Sequence, residues 1–191
     1  MGKLHVILAT TLDGFIATED GGMDWIIMGD ERADFMVEAI RNADTLLMGR
    51  NTYEGFASFW PDAPDNPTAS PAERTIGAQF NAMRKVVFSR SLEGADWQGT
   101  SIHRSIDPDE IRRLKAESEQ GIRLDGSISI VQQMTRLGLI DEYQFMVHPV
   151  ALGAGRPLFE ERVDLELIHS EQLRSGVVVL TYRPAREGRP D

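Results

Sequence analysis

The chain has 191 residues, with 20 Lys and Arg against 30 Asp and Glu, for a formal net charge of −10; 41% of it is apolar and 26% charged. That is the balance of a globular protein long enough to bury a core of its own. It has no cysteine, which excludes a disulfide framework, a Cys-ligated zinc or iron–sulfur centre and a thiol nucleophile, while the acidic balance argues against broad binding to nucleic acid or to an anionic membrane surface.

The first apolar run, residues 4–10, is too short for a membrane span and reads as a strand ending at the Asp13-Gly14 turn. No targeting signal follows it, so the expectation is a cytoplasmic protein. Residues 31–42 follow as a helix with Phe35, Met36, Ala39 and Ile40 on one face. Residues 45–48 read as a buried strand closed by Gly49, and 52–60 as a helix. The stretch 61–71 holds four prolines and reads as a loop or a lid. A helix over 73–83 and a strand over 85–89 come next. Asp107, Pro108 and Glu110 together mark a helix start, with Asp107 as cap and Glu110 completing a capping box. A brief strand at 122–124 precedes a helix after Gly126, with Ile128, Val131, Met134 and Leu137 facing inward and Gly138 at its end. Residues 141–150 alternate as a strand, and 165–173 with 177–182 form a hairpin turning at 174–176. Strands alternating with helices early and paired strands late predict an α/β fold. Its sheet is mixed and mostly parallel, with an antiparallel C-terminal edge. The expected organisation is one domain over 1–184 and a polar tail at 185–191.

Three strand ends share a feature. Residues 45–48 run into Gly49-Arg50-Asn51-Thr52, 85–88 into Ser89-Arg90-Ser91, and 122–124 into Asp125-Gly126-Ser127. Helix N-termini offer free N–H groups and the positive end of a dipole, glycine lets the backbone approach a pyrophosphate, and Arg50 and Arg90 add cationic forks. Taken one at a time, such loops are more often simple caps with surface arginines. Gly153-Ala154-Gly155 lacks the remaining features of a dinucleotide fingerprint. His5, His103, His148 and His169 lack ligand spacing, so no metal site is expected, and no G-x-S-x-G elbow is present. The acids nearest the presumed cleft are Asp13, Asp24, Asp30, Glu31 and Asp125; each also fits a turn, cap or loop role. Trp25 can wall a planar-ring pocket, although such a tryptophan is more often core.

In order along the chain, residues 11–17 (TLDGFIA), 44–54 (DTLLMGRNTYE), 85–90 (KVVFSR), 138–143 (GLIDEY) and 148–159 (HPVALGAGRPLF) resemble the dihydrofolate reductase superfamily. The resemblance is strongest to the reductase domain of the bifunctional riboflavin-biosynthesis deaminase-reductases. It implies a three-layer αβα sandwich and NADPH as cofactor. By motif, Gly49, Arg50 and Thr52 would hold cofactor phosphates. Ser89 and Arg90 would lie near the adenosine 2′-phosphate, and Gly126, Ser127 and Ile128 would meet the pyrophosphate. Many relatives carry paired or triple glycines where this chain has Asp125-Gly126-Ser127.

On the substrate side Asp13 is a candidate binding residue by its place near the presumed cleft, and the resemblance implies Trp25 as a binding residue and Asp30 and Asp125 as candidate catalytic acids. It implies a hydride transfer to a small heterocycle or a phosphoribosylamino-pyrimidine. A dihydrofolate or pterin reductase, and a non-catalytic nucleotide-binding dimeric scaffold, are the alternatives. The deaminase half needs a His/Cys/Cys zinc centre, which a chain without cysteine does not carry. The resemblance also implies a homodimer, with the strand at 141–150 as one candidate surface.

Overall fold

The computed structural model describes residues 2–185. In chain order its strands are β1 (Leu4–Thr11), β2 (Phe15–Ala17), β3 (Thr45–Gly49), β4 (Arg84–Phe88), β5 (Thr100–His103), β6 (Ile122–Leu124), β7 (Glu142–His148), β8 (Arg156–Pro157), β9 (Leu165–Gln172) and β10 (Val178–Pro184). Its helices are α1 (Asp30–Arg41), α2 (Arg50–Ala57), α3 (Pro71–Ala82), α4 (Pro108–Glu117) and α5 (Ile128–Arg136). The central sheet runs β5-β4-β3-β6-β1-β7-β10-β9, and β2 pairs with β8 outside it. β5, β4, β3, β6, β1 and β7 are all parallel, and β10 runs against both β7 and β9. The carboxyl ends of six strands therefore share one rim of the sheet, where an open α/β sheet places its ligands.

Helices cover both faces of the sheet. On one, α4 and α5 bring Ile111, Leu114, Val131 and Met134 onto Leu4, Val6, Leu47, Val86, Leu124 and Tyr143. On the other, α1, α2 and α3 bring Ile40, Tyr53, Ile76 and Phe80 onto Leu46, Met48 and Val87. Every residue of β3 is buried, so its sequence is a continuous apolar run, as a strand covered on both faces requires. The α/β class and the mixed sheet follow the sequence expectation. The hairpin β9–β10 forms as expected, with Gly176 at φ 87° in its turn.

Several local expectations are corrected. The helix expected at 73–83 starts at Pro71, because Ser70 and Glu73 form a reciprocal capping box and proline suits the first helical position. At α4, Asp107 does cap, accepting from the Asp109 N–H. Glu110 instead meets His103 Nδ1 at 3.0 Å, so no capping box closes there. Leu137, expected inward, is 42% exposed, since α5 has already ended. β2, β5 and β8 are not expected from the sequence because they span only two to four residues; β2 is apolar but three residues long, and β5 is only half-buried at a sheet edge. The proline-rich stretch is a fixed loop packed on α3. Asn81 Nδ2 donates to the Pro61 carbonyl (3.0 Å), Arg74 donates to the Pro67 and Ala69 carbonyls, and Ala63 is fully buried beside Gly77. β7 lies between β1 and β10 with both edges paired, so it offers no free edge to a second copy. Residues 186–191 of the expected tail lie outside the described residues. Among the described residues, no helix is long and apolar enough to cross a membrane.

The end of α3 is closed by Lys85. Its ammonium is fully buried and donates to the carbonyls of Phe80 (2.6 Å), Asn81 (3.2 Å) and Met83 (2.8 Å), with the Trp97 ring 4.7 Å away. Burial lowers its pKa to about 8. A helix leaves its last carbonyls without intrahelical donors, and one cation supplies three here. Lys85→Met should cost about 2–4 kcal/mol, because those carbonyls lose their donor where water cannot replace it. A lower urea midpoint at unchanged m-value is the expected result.

Candidate active site

The site is organised by the two strand ends that lie side by side at the rim. The Asp125 N–H donates to the Leu47 carbonyl (3.1 Å) and the Gly49 N–H to the Gly126 carbonyl (3.1 Å), so the chain beyond β6 stays bonded to the end of β3. α2 starts at Arg50 with Gly49 as its N-cap, and α5 starts at Ile128 with Ser127 as its N-cap. Neither helix receives a side-chain cap hydrogen bond. Two positive helix ends are thereby left without side-chain acceptors in one place.

The glycines are required by this approach. A Cβ on Gly49 would collide with the Ser127 hydroxyl, and Gly126 sits at φ 81°, with the Thr52 hydroxyl 3.3 Å from where its Cβ would be. The Gly126–Ser127 peptide is cis. Gly49, Thr52, Gly126 and Ser127 are thus one cluster. Ile128, half-buried, packs its side chain against the core of the α5 face.

Arg50 extends the cluster towards β4. Its Nη1 donates to the Ser91 hydroxyl (3.3 Å), while its Nε lies 3.9 Å from Glu54. The buried Ser89 hydroxyl accepts from the N–H groups of Ser91 and Leu92 and so shapes the loop that presents exposed Arg90. Arg104 ties down the same loop by donating to the carbonyls of Ser89 (3.0 Å) and Leu92 (2.7 Å). Sequence reasoning missed Arg104, which lies one residue beyond the unrecognised edge strand β5.

The other half of the cleft lies under the start of α1. Both carboxylate oxygens of Asp125 accept from Arg123 Nε, at 2.9 and 2.8 Å, and Arg123 is 1% exposed. Asp125 is thereby engaged as an acceptor by a guanidinium. Arg123 Nη2 lies 3.8 Å from Met36 Sδ on α1. Arg32, one turn earlier on α1, has its pKa lowered by burial and by the charge of Arg123, with Asp125 opposing.

His148 ends β7, is fully buried, and accepts the Ile27 N–H at Nδ1 (3.1 Å); burial first and then Arg32 lower its pKa. Trp25 meets the His148 ring edge-on at 5.4 Å. The sequence offered no signal for Arg32, Arg123 and His148 as a group, because α1, β6 and β7 are far apart in the chain.

The remaining acids fall elsewhere. Asp13 is exposed and bridges two loops. It accepts from the Thr11 hydroxyl (2.5 Å) and from the N–H groups of Leu152 (3.2 Å) and Gly153 (2.7 Å), which lower its pKa. Glu31 accepts from Arg174 and from the Ser175 N–H, fastening α1 to the hairpin turn. Asp30 opens α1, and its side chain lies outside the described residues. Among the described residues no group of three His, Asp or Glu has the geometry of a metal site.

Residues 3–179 match the family model described as RibD C-terminal domain. The chain is 33% identical over 183 residues to an uncharacterized protein of Bacillus subtilis, YyaP, covering 94% of each. Among solved structures it superposes on RibD of Acinetobacter baumannii with a TM-score of 0.70 at 16% identity, covering 97% of this chain and 59% of that one. It superposes on a dihydrofolate reductase of Enterococcus faecalis, complexed with NADP(H), with a TM-score of 0.62 at 15% identity, covering 97% and 98%. The fold is that of the dihydrofolate reductases.

His5 gives the site half of the sheet a pH dependence. It lies in register between Arg123 of β6 and Glu142 of β7, and its pKa is lowered to about 4, by burial first and the Arg123 charge second. Between pH 6.5 and 4 the unfolded chain takes up a proton that the folded protein refuses, so stability falls as the pH drops through that window. The full effect is about 3 kcal/mol. Urea midpoints measured from pH 8 to 4 should fall, and His5→Asn should flatten the curve between pH 6.5 and 5, leaving the contribution of His148 there and that of carboxylates with lowered pKa, such as Asp13 and Glu31, nearer pH 4.

Proposed function

The chain belongs to the RibD C-terminal domain family, and on that premise we propose that it is an NADPH-dependent reductase acting on a small heterocyclic or phosphoribosylamino-pyrimidine substrate. The observation that carries this reading is the pair of helix N-termini brought together by Gly49 and Gly126 at the ends of β3 and β6. The donor set fits a dinucleotide. It combines backbone N–H groups of two uncapped helix starts for a pyrophosphate with exposed cations beyond them for a phosphate monoester.

Gly49, Arg50, Thr52, Gly126, Ser127 and Ile128 would hold the pyrophosphate end. The loop built on Ser89 would place Arg90, with Arg50 beside it, against the 2′-phosphate. When bound, the cofactor supplies the hydride. The protein's own contribution is orientation and exclusion of water. The Arg123–Asp125 pair fixes the floor of the substrate side, and Trp25 with His148 forms its wall. Asp13 holds the β1–β2 turn to the loop after β7 and so sets the cleft's outer rim. A relative solved with NADP(H) and one named RibD share the fold, and both support the reading.

Calorimetric titration tests it. NADPH should bind with micromolar affinity and more tightly than NADH. Replacing Arg50 and Arg90 together by Ala should weaken NADPH at least tenfold, about 1.4 kcal/mol, while NADH binding changes little. Equal affinities for the two cofactors, or an unchanged NADPH affinity in the double variant, would sink the proposal.

A further inference from the structure

Four hydrogen-bond donors in the substrate half find no acceptor in the protein. They are Trp25 Nε1, Arg32 Nε, Arg123 Nη1 and His148 Nε2, all shielded from solvent. They come from segments that the fold brings into contact. Ile27, two residues after Trp25, donates its N–H to His148 Nδ1, and the Trp25 and His148 rings are in edge contact. Arg32 and Met36 are four residues apart on α1 and share a face, and Met36 touches Arg123. The charge of Arg32 reaches both His148 and Arg123.

The chemistry of the group is one-sided. Indole and guanidinium nitrogens only donate. Since His148 accepts at Nδ1 and is held neutral by its burial, its proton sits on Nε2, which makes that atom a donor too. The one carboxylate in the group, Asp125, already accepts twice from Arg123. Two guanidinium charges therefore face a single carboxylate charge. Each shielded donor left without an acceptor costs about 1–3 kcal/mol, and buried polar groups of this kind are rare enough in folded proteins to call for a partner. Donors alone exclude a metal ion or an ammonium as that partner.

The geometry points to an oxyanion subsite: Trp25, Arg32, Arg123 and His148 together bind a phosphate or carboxylate group of the substrate. The assignment of that anion to a substrate rests on the reductase reading; the subsite itself does not. Because the four atoms are shielded, a segment packed over them has to move for the anion to enter. The charge balance favours a group with one net negative charge or more and several acceptor oxygens, in contrast to a site that grips a substrate amine with a free carboxylate.

The test follows the indole N–H resonance of Trp25 by nitrogen-15 NMR, assigned with Trp25→Phe. The full-length protein is titrated separately with inorganic phosphate and with acetate, against sodium chloride at matched ionic strength. A saturable shift with phosphate alone assigns a phosphate subsite, and with acetate alone a carboxylate subsite. A shift with both assigns a general oxyanion site.

In each case Arg32→Gln should weaken the binding at least tenfold and Arg32→Lys should recover part of it. Arg32 is only half-buried, so these variants are expected to fold. No shift with either anion, a shift reproduced by chloride, or an effect indifferent to Arg32 overturns the subsite. Titration with NADP+ separates the two proposals, since the cofactor reading predicts shifts of the Gly126 and Ser127 amides. Silence there with a Trp25 response to anion defeats the reductase reading and leaves the subsite standing.

Discussion

The arrangement of the cleft depends on how closely the chain leaving β6 follows the end of β3. The hydrogen bonds from Asp125 to Leu47 and from Gly49 to Gly126 keep the two chains together where strands in an open sheet usually diverge into separate loops. That approach leaves no room for a Cβ on Gly49 and requires a left-handed backbone at Gly126. Its result is the adjacency of α2 and α5 at their positive ends. Everything else at that half of the cleft adds to this frame: Arg50 reaches from it to Ser91, and Ser89 and Arg104 hold the next loop in place.

The two faces of the sheet do different work. The α4–α5 face is mostly apolar and provides the main core, with Tyr143, Phe145 and Phe159 packed together on it. The face under α1 carries His5 and Arg123 in register on adjacent strands, with Asp125 just after β6. Burying these groups is costly unless they are paired, and the Arg123–Asp125 pair meets only part of that requirement, since Arg123 Nη1 and Arg32 Nε remain without acceptors. The interior beneath α1 is thus the more polar of the two, with buried donors left over, whereas the Lys115 and Tyr143 groups on the other face are paired with Asp141 and Thr135. Lys85, buried on the α3 side, differs in kind because its three carbonyl acceptors and its aromatic neighbour complete its surroundings.

Much of the fold is legible in the chain because β3, β4 and β7 are apolar enough to read as strands and the loops after them carry glycine. The elements that escaped notice are those whose existence depends on a neighbour. β8 is two residues long and exists only as the partner of β2; β5 is a half-polar edge held by β4. The proline-rich stretch concealed the start of α3, because Pro71 serves as a first helical residue and its loop is fixed by Arg74 and Asn81 from the helix itself. Gly49, Thr52, Gly126 and Ser127 could be nominated from sequence because strand–glycine–helix junctions have local signatures. Arg32, Arg123 and His148 could not, since an arginine inside a short strand and a histidine at the end of another carry no mark of burial or company.

The sequence by itself determined the class of fold, most element positions and the glycine-bearing junctions after β3 and β6, since these follow from periodicity, capping chemistry and glycine within windows of a few residues. Tertiary structure alone decided that Asp13 fastens two loops, that Asp125 is engaged by Arg123, and that β7 is interior with no free edge. It alone gathered Trp25, Arg32, Arg123 and His148 under α1. The reason is physical. A local pattern fixes the conformation of a segment, whereas burial, charge pairing and the absence of an acceptor are properties of groups that meet only when strands distant in the chain become neighbours in the sheet.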